Sequence, residues 1–208
     1  MSDIEHLPSA YALSILAQEE FAKAFLLHLI GEHVIPWNTE VQRSLRDHSC
    51  KHLLVLVMDW LNPPIEEFLA KLKEPFNKRE EPYFPSHVAS ALNIYRHEKI
   101  RRWKSRNWFW LEDSDYDSVA KKVGKGHVDR LKQDALYVRI SKTGEIASLP
   151  STIPSDEVEK ELEKAKRLGD LVGRLNEGEI TMSRDYETLK ATIKILFAEE
   201  EITRNDEH

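Results

Sequence analysis

The stretch LRDHSCKHLLVLV, residues 45–57, packs Arg46, Asp47, His48, Lys51 and His52 into seven positions and then runs at once into apolar residues. Imidazole moves protons near neutral pH, and arginine or lysine stabilises negative charge, so this is equipment for acid–base or phosphate chemistry. A solvated helix would spread its charges on one side and a core helix would exclude them, so the cluster belongs at the edge of a core. With about 100° between successive helical residues, His48, Lys51 and His52 share a sector with Leu45 and Val55 and face one neighbour. The plain structural reading is that they bond a carboxylate on an adjacent helix and fix its register.

The first helix supplies such a neighbour. Pro8 can open it, and it is expected from about Ser9 to His33, stopping around Gly31 and Pro36. Leu13, Leu16, Glu20, Lys23 and Leu27 recur on it at three- and four-residue spacing, while Tyr11, Ile15, Ala22, Phe25 and Leu29 fill other sides. On a helix that apolar, Glu19, Glu20 and Lys23 are the anomaly. The expected site sets Glu20 and Lys23 against His48, Lys51 and either Arg43 or Arg46, each side pairing the other's buried charge, so Glu20→Ala is expected to destabilise. The second helix is expected from Thr39, capped with Gln42, to the residues before Pro63 and Pro64, packing antiparallel on the first.

Seven glycines in 208 residues and few alternating β-branched runs argue for an all-α chain. A third helix is expected over Ser86 to Trp103, and a fourth from about Tyr116 to Leu136 interrupted by Gly124 and Gly126. A small hairpin is expected around the Lys-Thr-Gly turn of ALYVRISKTGEI, and two charge-laced helices follow. EPFNKREEPYFP reads as a loop, and the last residues as frayed. The reading is a bundle over 1–140 with a helical extension, 141–208, on the same domain.

Alternate residues on a helix point about 200° apart, so Cys50 cannot join His48 and His52 on one zinc ion, and the chain has neither a His-Glu-x-x-His motif nor Glu-x-x-His pairs. No metal and no cofactor are expected. RHEKIRRWKSRNWFW interleaves Arg101 and Arg102 with Trp103, Trp108, Phe109 and Trp110, cations and stacking surfaces suited to single-stranded RNA. The acidic run that follows, Glu112 to Asp117, can equally neutralise it. A formal net charge of −6 leaves RNA binding to such local patches. The single cysteine fits a reducing compartment, and no apolar run approaches the roughly 20 residues that cross a bilayer, so a cytoplasmic protein with no membrane contact is expected.

Three ordered stretches resemble the AbiV family of abortive-infection proteins, a branch of the HEPN superfamily of helical bundles that includes many ribonuclease toxins. SAYALSILAQEEFAKAFLL is similar to its helix with paired acids and a lysine, matched by Glu19, Glu20 and Lys23. RDHSCKH resembles its His-x-x-Lys element at His48 and Lys51, and RLKQDALYVRISKTGEIASLP its Leu-Tyr-Val segment. Ala22 stands where the family often has glycine, and Arg139 where it often has an acid. The resemblance implies a HEPN-like antiparallel helical bundle, a homodimer and a metal-independent ribonuclease in antiphage defence. Its Arg-x(4–6)-His mark could be Arg43 to His48 or Arg46 to His52. His48, Arg43, Arg46, Lys51 and Glu20 would then be catalytic, and Lys23, His52, Arg101, Arg102 and Trp103 would contact RNA. The rival expectation is a non-catalytic effector that binds a host or phage protein, and an antitoxin partner is a further expectation.

Overall fold

The computed structural model describes residues 7–67, 84–105, 115–148, 153–179 and 184–198. Residues 74–83 of the expected loop over 74–85, Trp108, Phe109 and Trp110, and the last residues, expected to be frayed, lie outside them.

The described elements are α1 (Leu7–Gly31), α2 (Thr39–Arg46), α3 (His48–Leu61), α4 (Ser86–Ile94), a π-helical turn (Tyr95–Ile100), α5 (Arg101–Ser105), α6 (Ser118–Gly124), α7 (His127–Leu136), a two-stranded hairpin of β1 (Arg139–Ile140) and β2 (Ile146–Ser148), α8 (Ser155–Asn176) and α9 (Arg184–Phe197). The fold is all-α with one short antiparallel ribbon, in which Arg139 faces Ser148 and Ile140 faces Ile146. Gly144, at φ +85°, closes its turn in the left-handed region that glycine reaches without strain.

The helix expected over Thr39 to Leu61 is two helices. Asp47, at φ −77° and ψ 116°, leaves helical geometry, and its side chain accepts a 3.0 Å hydrogen bond from the Cys50 amide as the cap of α3. Lys99 in the π-helical turn holds the same carboxylate at 3.2 Å, a long-range clamp that a local pattern does not reveal. The cap of α2 is Asn38, which accepts from Val41 at 2.9 Å, in place of the expected Thr39. The interruption expected near Gly124 and Gly126 is the corner between α6 and α7, where Gly126 takes φ +80°.

α1 lies centrally, against α8, α3 and α7. It runs parallel to α8: Tyr11 and Val158 share a small apolar cluster, Gln18 donates to the Glu161 carboxylate at 2.7 Å, and the Phe21 ring lies over Gly169. The main core joins Phe25, Leu26 and Leu29 of α1, Leu53, Val57 and Met58 of α3, Val88 and Ile94 of α4, Leu168 and Leu171 of α8, and Tyr186 and Phe197 of α9. Among the described residues no helix is long and apolar enough to cross a membrane.

Candidate active site

Where α1, α3 and α7 meet, one buried carboxylate organises four basic side chains. Glu19 of α1 is 1% exposed. Its Oε2 accepts from Lys51 Nζ at 2.6 Å and contacts His48 Nδ1 at 2.7 Å; its Oε1 accepts from Lys132 Nζ at 2.6 Å. His52 Nε2 lies 3.3 Å from Oε1, within ion-pair reach but outside hydrogen-bond geometry. Lys132 pairs in addition with Asp129 one helical turn before it, at 2.8 Å.

Burial alone would raise the Glu19 pKa. The interactions with His52, Lys132 and Lys51 outweigh it and hold the carboxyl well below the usual range. Burial would likewise depress Lys132, but Asp129 and Glu19 raise it above the ordinary lysine value. Facing an ionised carboxylate that has no proton to give, Nδ1 of His48 must be the donor. That leaves Nε2 as the proton acceptor of the neutral ring. The His48 side chain is 48% exposed, whereas those of Lys51, His52 and Lys132 are buried. A carboxylate-oriented imidazole at the surface is therefore backed by a buried set of charges.

The carboxylate against His48 is Glu19, and this corrects the expectation for Glu20. Glu20 is exposed and pairs with Lys23 at 2.5 Å along α1, so neither faces the histidine. His48, Lys51 and His52 do share one sector, as their spacing predicts. Arg43 and Arg46 are exposed on α2 and belong to a different helix from His48. Arg101 is exposed; Arg102 is tied to the buried Glu98 at 2.6 Å, and Trp103 packs partly buried against the main core, so these two face inward. Cys50 is wholly buried, and burial pushes its thiol pKa up.

Sequence reasoning marked Glu19 as an anomaly on α1 but gave its role to Glu20, and it missed Lys132 and Asp129. The signal for Glu19 was the 12, 15, 19, 22, 26, 29 spacing of the buried face, which includes its position. Asp129 and Lys132 stand three residues apart, the spacing of ordinary surface ion pairs, so spacing alone does not mark them. Glu19, His48 and Asp129 bring ligand atoms within 4.8 Å of one another. Two ammonium groups already occupy those carboxylates, so a metal cation would meet two fixed positive charges there, and the donor set does not suit one.

No curated protein and no solved structure matches the chain. The HEPN family described as AbiV matches residues 1–170, through the bundle and into α8. With that match over most of its length, the chain belongs to the AbiV family of HEPN abortive-infection proteins.

Proposed function

We propose that this protein is a metal-independent endoribonuclease that arrests growth during abortive infection, with His48 as its proton-transfer group. The observation that carries the reading is the half-exposed His48 ring held through Nδ1 by the buried, ionised Glu19. Such a ring presents Nε2 as a base in a fixed direction, suited to taking the proton of a ribose 2′-hydroxyl. The 2′-oxygen then attacks the adjacent phosphorus, the bond from phosphorus to the 5′-oxygen breaks, that oxygen takes a proton from solvent water as it leaves, and the protonated His48 returns its proton to the hydroxide so formed. The exposed Arg43 and Arg46 on the preceding helix supply charge for the phosphate. Lys51 and Lys132 are turned inward to Glu19 and act on the ring through their field. The active species in this reading is a homodimer, and light scattering of the purified protein should show twice the 24.2 kDa chain mass.

The deciding experiment expresses wild type and His48→Ala and follows growth, bulk RNA integrity and cleavage by purified protein. Because His48 is half-exposed, the variant should melt close to wild type while cleavage falls by about 10²–10⁴, the usual worth of positioned proton transfer. Growth arrest with intact RNA, unchanged in the variant, would favour an effector that binds another protein and would end the ribonuclease reading.

A further inference from the structure

The third wall of the site is α7, whose polar residues no motif had singled out. Lys132 Nζ lies 3.3 Å from His48 Nδ1 and Asp129 Oδ1 lies 3.7 Å from it, while the two bind each other and Lys132 also binds Glu19. Among the described residues, the other charged or titratable groups at the ring are Glu19 from α1 and, from α3, Lys51 at 3.3 Å, with His52 behind Glu19. The two carboxylates and two ammonium groups cancel formally. The pair is also held in place. Gly126 starts α7 at φ +80°, and a Cβ there would stand 3.7 Å from Ser49 Oγ, so this end of α7 sits against the first turn of α3 beside His48.

We propose that Asp129 and Lys132 are positioning residues for His48, a charge-compensated pair in which Lys132 holds Oε1 of Glu19, so that Oε2 is turned to Nδ1 and Lys51, and Asp129 cancels the field of the lysine. Neither needs to touch RNA. The proposal rests on the reading of His48 as the proton-transfer group, but it makes a statement about the ring that holds whether or not RNA is cut. Removing Lys132 leaves Asp129 uncompensated beside the ring and favours its protonated form. Removing the charge of Asp129 leaves Lys132 uncompensated and disfavours that form. The two effects have opposite sign, and a pair that merely holds helices together would not produce that pattern.

The test uses the full chain as wild type, Lys132→Met, Lys132→Arg, Asp129→Asn and the double variant Lys132→Met/Asp129→Asn. Two readouts are taken: the titration of the His48 ring signals by NMR, and the pH dependence of cleavage of a single-stranded RNA oligonucleotide. Lys132→Met should move the ring midpoint and the acid limb of kcat upward by about 1–3 pH units, the usual effect of an opposite charge at this range. Asp129→Asn should move both downward, the double variant should return toward wild type, and KM should change little in all. Lys132→Arg, which keeps the charge, should keep the midpoint. Asp129 is partly exposed, so Asp129→Asn carries the test even if Lys132→Met fails to fold. Midpoints that stay put, or shift in the same direction in both single variants, overturn the proposal. Opposite ring shifts in a protein that cuts no RNA would uphold the pair and remove the ribonuclease reading.

Discussion

Glu19 and Glu20 are neighbours in sequence, yet about 100° of helical rotation separates their surroundings. The stripe Leu13, Glu20 and Leu27, evenly spaced by seven, looks like a core seam, but Leu13 is 63% and Leu27 50% exposed, so it is the solvent side of α1. The site was legible as far as the His48, Lys51 and His52 sector. Its carboxylate was not, because two adjacent acids leave the choice to whichever face is buried. Replacing Glu19 by alanine should cost roughly 3–5 kcal/mol, since it strands two buried lysines, whereas Glu20→Ala should stay within about 0.5 kcal/mol for an exposed pair. Thermal melts of both variants check this against the expectation first attached to Glu20. The pH dependence follows from the depressed Glu19 carboxyl. Its contribution is fully present above the ordinary carboxylate value of about 4.3 and is lost as pH falls toward the lower folded value. The gap in melting temperature between wild type and Glu19→Gln should therefore be widest near neutrality and close on acidification below about pH 4. A gap that widened in acid would refute the ionised carboxylate.

At the scale of the element, helix existence was readable and helix interruption was not. Between Leu45 and Leu53 every residue but Cys50 is polar, so no hydrophobic period fixes whether the helix continues or breaks at Asp47; the Lys99 clamp that stabilises the break comes from a π-helical turn far along the chain. The glycine corner at Gly126 was readable because glycine reports on backbone geometry directly. The two glycines of α8 permit a paired prediction. A Cβ on Gly169 would stand 3.0 Å from Cζ of Phe21, a ring wedged between α1 and α8, so Gly169→Ala should destabilise by about 1–3 kcal/mol. One turn on, a Cβ at Gly173 would meet nothing within 4 Å, and Gly173→Ala should stabilise by about 0.5–1 kcal/mol through helix propensity alone. Chemical denaturation of the two variants should displace the midpoint in opposite directions, and equal shifts would mean that α8 does not sit on α1 as described.

For the whole molecule, the question is whether the C-terminal helices are an appendage or part of the core that carries the site. α9 buries Tyr186, Leu189, Ile193, Leu196 and Phe197, each on the order of 1.5–3 kcal/mol of transfer free energy, together comparable with the roughly 5–15 kcal/mol that separates a folded domain from its unfolded chain. Its contacts also reach both sides of the bundle. The Tyr186 hydroxyl meets His28 of α1 at 2.8 Å, and Phe197 packs edge-on against Tyr95, whose π-helical turn carries the Lys99 that clamps the cap of α3. Removing α9 therefore withdraws apolar support from the main core and loosens the turn that holds Asp47 one residue before His48. A chain ended after Glu179 should lose cooperative thermal unfolding. Phe197→Ala, a gentler form of the same insult, should cost about 3–5 kcal/mol and, where it still folds, should lower activity along with melting temperature. Calorimetry of both, beside the intact chain, decides it: a truncated protein that melted cooperatively at the wild-type temperature would show that residues 7–179 complete the core without α9, and that the link from Phe197 through Tyr95 and Lys99 to the His48 turn carries no energy.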